Sequence, residues 1–369
     1  MRRKYDVAAY IWPAYTGKEP RTRIFWPEGV GEWQTVRGFN RAYPHSTWPR
    51  RPLWGYQDEA DPRVMERQIA EATSHGVNVF IYDWYWYDRR PFLEQCLNEG
   101  FLGAENHNQM KFYLMWANHD AVALWDKRNS HDLDTVVWSG GVDFNEFKRA
   151  MTRVIRRYFT QPNYYTIDGK PVFMIYDVPK LVGGLGGAEQ TREALEWFRA
   201  ECVREGLPGL HLQFTMWNPA VTNLSGCDGG RNMPAEAFGD LGFDSCTHYQ
   251  YVHFTDIDRD YADVLPDVAA EWSRLDAALP FPFFPHVSVG WDNNPRFNGF
   301  RPGILRNCTP ENIERALRMA KDYADRHPNQ PPLITVNSWN EWTESSYLEP
   351  DDLNGYGYLQ AIRRVFLEQ

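Results

Sequence analysis

The feature that most constrains the fold is the alternation, along the whole chain, of short apolar or β-branched runs with amphipathic helical stretches. Runs at 5–12, 77–84, 111–118, 171–177, 209–217, 243–250, 283–290 and 332–339 have the length and composition of buried strands. Helical periodicity covers 62–75, 90–99, 144–159, 190–205, 257–277, 309–326 and 355–367. This pattern builds βα units and hence a parallel sheet. About eight strands, the last followed by a terminal helix, fit a closed (β/α)8 TIM barrel of the α/β class better than an open sheet. No glycine-rich phosphate turn follows the first run, which argues against a dinucleotide-binding sheet. With no repeat, linker or break in composition, residues 1–369 are expected to form one catalytic domain.

Loop lengths give that barrel a working face. Segments entering strands are short (74–76, 205–209, 326–332), whereas those leaving them are long (13–61, 118–143, 217–242, 289–308). In a parallel barrel every exit opens on the C-terminal face, where active sites of this fold lie. The long exits are rich in Trp, Asn, Asp, Arg and Pro and are not low-complexity, so they read as ordered.

Aromatic residues make up 15% of the chain, including sixteen Trp, and many fall in these exits. Rings outside periodic core positions are platforms for sugars, bases or apolar ligands. A net charge of −10 argues against nucleic acid, whose affinity comes from Lys and Arg neutralising phosphates. A glycan is the expected partner. The exits supply Trp12 and Tyr15; Asp83, Trp84 and Trp86; Trp116 and Asn118; Trp217 and Asn218; His248 and Tyr249; and His286 and Trp291. One such Trp reads as core filler, but repetition at six or more exits on one face points to a groove in which rings stack on sugar C–H surfaces and amides bond hydroxyls.

The last exit, "SWNEWTESSYLEP" (338–350), carries Asn340, Glu341, Trp342 and Glu344. A turn would put the carboxylates of Glu341 and Glu344, three residues apart, on one side. Glycosyl transfer needs such a pair, with rings raising the pKa of one member and hydrogen bonds keeping the other ionised. A helix-start cluster favoured by the dipole accounts for the same local residues equally well; position among the other aromatic exits tips the reading to catalysis. Glu349, beside Pro350, reads as a loop cap or as a support behind the pair that touches no substrate.

Other chemistries find little support. Cys96, Cys202, Cys227, Cys246 and Cys308 are scattered singly and read as free thiols. His45, His119, His248, His253 and His286 form no metal-ligand spacing, and no G-x-S-x-G elbow is present, so no metal and no cofactor is expected. No stretch reaches the apolar length of a membrane span, and "MRRKYDVAAYIWPAY" is too short and broken to be a signal peptide; a cytoplasmic location is the expectation. Oligomeric state has no signature.

Three stretches, "DPRVMERQIAEATSHGVNVFIYDWYW", "WAN" and "SWNEWTESSYLEPD" followed one residue later by "LNGYGYLQAI", resemble the WbsX-like proteins, a family described as glycosyltransferase-like and related to glycoside hydrolase family 99. The resemblance runs from the first strand to the terminal helix and implies a metal-free (β/α)8 barrel acting on glycans. It implies that Glu341 removes the proton of a sugar 2-hydroxyl, giving a 1,2-anhydro sugar. Glu344 would be the acid for the leaving group and then the base for water, with retention. Thr343 stands where family 99 commonly has His, and 13–61 has no clear counterpart of the mannosidase loop, so mannose does not follow with the machinery. Transfer to build a surface polysaccharide, or glycan binding without turnover, are the competing readings.

Overall fold

A computed structural model describes residues 4–132, 134–217 and 235–368. Eight parallel strands form the core: β1 (Asp6–Ile11), β2 (Val79–Tyr87), β3 (Lys111–Trp116), β4 (Lys170–Ile175), β5 (His211–Thr215), β6 (Ser245–Thr247), β7 (His286–Ser288) and β8 (Leu333–Asn337). Each predicted run overlaps one of them, with β2 running three residues past its run and β4 starting one residue before its own. Their hydrogen-bonded order is β6-β5-β4-β3-β2-β1-β8-β7. The ring closes between β6 and β7, where Cys246 N–H donates to the Pro282 carbonyl at 3.1 Å and Phe284 N–H donates to the Cys246 carbonyl at 2.9 Å. The fold is a (β/α)8 barrel.

The principal outer helices are α1 (Pro62–His75), α2 (Phe144–Val154), α3 (Ala188–Arg204), α4 (Tyr261–Ala278), α5 (Pro310–Arg326) and α6 (Gly357–Phe366). Side-chain caps start several of them. Asp61, Asp143, Asp260 and Thr309 each accept a backbone N–H of the first turn, and Pro62 and Pro310 supply the fixed φ favoured at a first helical position. The helix expected over 90–99 is a correction. Arg90–Phe92 doubles back as a strand antiparallel to Tyr85–Tyr87, and helical turns begin only at Cys96. The rings of Phe92 and Tyr87 pack together at 6.1 Å, a cross-strand pairing that helical periodicity does not detect.

Strand alternation sorts side chains between the barrel interior and the helices. The interior holds Tyr10, Tyr113, Gln213, Thr247, His286 and Thr335, all fully buried. Their polar atoms pair with one another: Tyr113 donates to Gln213 at 3.0 Å, and Thr335 bonds Thr247 at 2.8 Å and His286 at 2.9 Å. A polar plug of this kind is stable because each buried group finds a partner.

Candidate active site

Past the end of β8 the chain does not enter an α-helix. Asn340–Glu341 pairs with Ser346–Tyr347 as a tight hairpin whose tip, Trp342–Glu344, is a 3-10 turn. The helix-start account of these carboxylates therefore fails, because there is no helix N-terminus beside them. Ser345 at the tip adopts a left-handed φ of 57°. The hairpin is fixed from several sides. Ser338 Oγ accepts from Glu341 N–H at 2.8 Å, and the Tyr15 hydroxyl accepts from Trp342 N–H at 3.0 Å. The Asn340 side chain clasps the end of β1, accepting from Trp12 N–H at 2.8 Å and donating to the Trp12 carbonyl at 2.9 Å.

The loop after β7 crosses the hairpin tip. Asp292 N–H donates to the Glu344 carbonyl at 2.7 Å, and Ser345 Oγ donates to the Asp292 carbonyl at 3.0 Å. Gly290 is needed at this crossing, since a Cβ there would lie 2.1 Å from the Ser345 carbonyl oxygen. The same loop delivers Arg296. Its guanidinium donates to Glu344 at 2.5 Å, to Glu341 at 3.3 Å and to Glu32 at 3.4 Å. Glu32 also accepts the Trp12 indole N–H at 2.5 Å. Beyond Glu341 the Tyr249 hydroxyl lies 2.9 Å from its Oε2 and 3.1 Å from Asp83 Oδ2.

Glu341 is 4% exposed and Glu344 8%, so both carboxyls work in a low-dielectric setting. Burial raises Glu344 well above the ordinary carboxylate range. The Glu341 charge and a hydrogen bond between the two carboxyls add to the rise, and Arg296 opposes it. Burial also raises Glu32, against the pull of Arg296 and the Trp12 bond. On Arg296 burial disfavours the charge, but Glu32, Glu344 and Glu341 outweigh it and hold the guanidinium protonated. The site is thus a buried pair with one shared cation, one member held as an acid.

A second carboxyl pair lies behind the hairpin. Gln68 donates to Glu59 at 3.1 Å and to Glu349 at 3.0 Å with one amide nitrogen. Glu59 accepts from Asn340 at 3.0 and 3.1 Å, and Glu349 accepts the Trp342 indole N–H at 2.6 Å. Of the two roles expected for Glu349, the structure gives it that of a buried support behind the hairpin turn and not that of a loop cap.

Of the residues expected from sequence, the structure brings Trp12, Tyr15, Asp83 and Tyr249 to the Glu341–Glu344 pair. Asn340 and Trp342 are there as structural members of the turn, with Trp342 stacked on Tyr347 at 3.7 Å. Others are elsewhere. Trp84 and Trp86 point outward between the helices, donating to Glu94 at 2.8 Å and to Glu146 of α2 at 2.6 Å. Trp116 packs on Phe147 of α2, and His248 stacks on Phe254 at 3.9 Å. These four alternate with inward neighbours, and clustering at strand ends does not reveal that parity. Asn118 is consumed by the backbone of Asp177, to which it both donates and accepts, and His286 lies in the barrel plug beneath the pair. Trp217 stacks on His253 at 3.3 Å beside Tyr176, at the mouth, and Trp291 is half-buried in the loop that carries Arg296. Asn218 lies outside the described residues.

Sequence reading missed Arg296, Glu32, Glu59 and Gln68. Arg296 had a signal, the first of three arginines in the long 289–308 exit and the one nearest the strand, whereas Glu32 sits among many charges in 13–61 with nothing to single it out. Among the described residues no group of His, Cys, Asp and Glu is arranged to hold a metal, and no helix is long and apolar enough to cross a membrane.

Comparison with known proteins agrees with this architecture. The chain is 26% identical over 359 residues to the protein named "Uncharacterized protein WxcX" of Xanthomonas campestris pv. campestris, covering 94% of this chain and 47% of that one. It thus spans about half the length of the curated relatives it matches. Its fold is similar to the GH99 endo-alpha-mannosidase from Bacteroides thetaiotaomicron in complex with bis-tris-propane, with a TM-score of 0.61 at 13% identity over 97% of this chain and 95% of that one. It is also similar to GH5_18 from Streptomyces cattleya in complex with GlcNAc, with a TM-score of 0.51 at 13% identity over 84% and 76%. These likenesses establish a barrel shared with glycoside hydrolases. The family model described as "Glycosyltransferase WbsX" matches residues 7–362, and the chain belongs to that WbsX family.

Proposed function

We propose that this barrel is a glycoside hydrolase that cleaves an α-linked glycan with retention, through Glu341 and Glu344. The observation that carries the reading is the pair itself. One turn holds two buried carboxyls in unlike surroundings, Glu344 raised well above the usual range and Glu341 taking donors from Tyr249 and Arg296. An acid and a base set side by side by environment are what glycosyl transfer requires.

In the first step Glu341 takes the proton of the 2-hydroxyl as that oxygen attacks C1. The glycosidic bond breaks, and Glu344 gives its proton to the leaving oxygen. The product is a 1,2-anhydro sugar. Water then attacks C1 and yields a proton to Glu344, while O2 leaves C1 and recovers its proton from Glu341. Two inversions at C1 give retention. The test is a screen of α-linked oligosaccharides and bacterial polysaccharides with product masses as readout. Turnover is lost in Glu341→Gln and Glu344→Gln; near-normal turnover in both variants would sink the reading.

The family's description supports a second reading, transfer of the glycosyl group to a sugar acceptor in place of water. The same pair would serve a transglycosylase, whose products would be longer than its substrates. Calorimetric binding of a nucleotide-diphosphate sugar would instead favour a transferase.

A further inference from the structure

We infer that Asp83 is held as a neutral carboxylic acid and that, through Tyr249, it fixes the negative charge of its neighbourhood on Glu341. The inference begins with a proton count. The Tyr249 hydroxyl lies within hydrogen-bond distance of two carboxyl oxygens, Asp83 Oδ2 at 3.1 Å and Glu341 Oε2 at 2.9 Å. A phenol has one proton and can donate to only one of them. The other contact is a hydrogen bond only if that carboxyl carries a proton and donates to the phenol oxygen.

The remaining oxygens say which carboxyl that is. Glu341 Oε1 faces the Arg296 guanidinium at 3.3 Å, so a charge on Glu341 meets a cation on one side and a phenol donor on the other. Asp83 Oδ1 is buried with no hydrogen-bond partner among the described residues, and the whole side chain is only 4% exposed. An ionised carboxylate with one oxygen unpaired in a dry site is costly, whereas the carbonyl oxygen of a neutral acid tolerates that position better. The groups that face Asp83 are Glu341 and Glu344 from the hairpin after β8, Tyr249 after β6, Tyr10 on β1 and Tyr85 on its own strand. No cation is among them. Burial, and then the Glu341 charge, push Asp83 well above the usual range, against the Tyr249 bond.

The order of donation is therefore Asp83 Oδ2–H to Tyr249 Oη, and Tyr249 O–H to Glu341 Oε2. Asp83 is a positioning residue: it touches no reacting atom, but it keeps the phenol proton aimed at Glu341 and leaves that carboxylate free to accept a proton. This consequence rests on the hydrolase reading, whereas the protonation states do not, and the experiment separates the two.

Infrared difference spectra of wild type against Asp83→Asn near neutral pH should lose intensity in the C=O stretch of protonated carboxyls. Loss in the carboxylate stretch with none in the acid region would overturn the assignment. Tyr249→Phe, folded by near-ultraviolet circular dichroism, provides a second arm. Its acid band should persist but move in frequency, because the Asp83 proton has lost its acceptor; an unmoved band overturns the link. On any glycan that the wild type hydrolyses, Tyr249→Phe should also move the acidic limb of the kcat/KM profile to higher pH, since a carboxylate that loses a donor holds its proton more tightly. An unmoved limb overturns the effect on Glu341. Absence of turnover in the wild type would count against the hydrolase reading and leave the infrared result to decide the rest.

Discussion

The Arg296 guanidinium donates to Glu344 at 2.5 Å and, with its other terminal nitrogen, reaches Glu341 at 3.3 Å, so one cation serves both members of the pair. Replacing it by Gln leaves Glu32, Glu341 and Glu344 buried together with no positive charge. Breaking a buried ion pair by removing one partner costs about 3–5 kcal/mol, and urea unfolding should show a loss of that order. Arg296→Lys should recover only part of it, because a single ammonium cannot bridge two carboxyls as a planar fork does. An unfolding free energy in Arg296→Gln within about 1 kcal/mol of wild type, the typical effect of a point mutation, would show that the cation is not what holds the turn.

The two carboxyls should separate by leaving group. On the proposed roles, a substrate whose leaving group departs without protonation has no need of Glu344 in its first step. With such a substrate Glu344→Gln should keep a burst of released leaving group, while Glu341→Gln loses it by about 10²–10⁴-fold, the usual contribution of a positioned acid or base. Rapid-mixing kinetics would check this. Equal loss in both variants would contradict the assigned roles.

The barrel was legible in the sequence because each strand is a short apolar run and each helix has a strong period, and both signals are local. The pair Glu341–Glu344 was legible as a spacing. Its partners were not, because Glu32 and Arg296 arrive from loops some 309 and 45 positions away, as counted to Glu341 in the chain numbering, and no local rule joins them. Trp84, Trp86 and Trp116 misled for a physical reason. Indole rings do well both against a sugar and between helices with the N–H bonded to a carboxylate, as Trp84 is to Glu94. Parity along β2 decides between these fates, and parity needs the register that only the closed barrel supplies.

That difference is testable. Trp84→Phe removes a bond to Glu94 and part of a buried ring, at a cost of about 1–3 kcal/mol. Thermal unfolding should fall accordingly, with kcat and KM on any accepted glycan unchanged. Trp217→Ala, altering a ring stacked on His253 at the mouth, should do the opposite: a raised KM with little loss of stability. A raised KM in Trp84→Phe would restore it to the substrate groove.

The Glu59–Glu349 pair behind the hairpin should make stability depend on pH. Burial raises Glu59 from 4.5 to about 7, against hydrogen bonds from Asn340, Gln68 and Cys96. The folded state therefore binds a proton that the unfolded chain has released between those values. Its contribution is fully present below pH 4.5 and is lost as pH rises to about 7, a total of roughly 3 kcal/mol at about 1.4 kcal/mol per unit. Glu349 is raised further, first by burial and then by the Glu59 charge, so its own decline runs on to higher pH. Glu59→Gln, with its amide nitrogen turned to Cys96, keeps an acceptor for Gln68 and Asn340 and cannot ionise. Urea unfolding of wild type and variant across this range reports Glu59 together with its coupling to Glu349, because the titrating groups outside the pair are common to both. The variant should gain on wild type as pH rises; parallel curves would mean that Glu59 does not carry the proton and that Glu349 alone does.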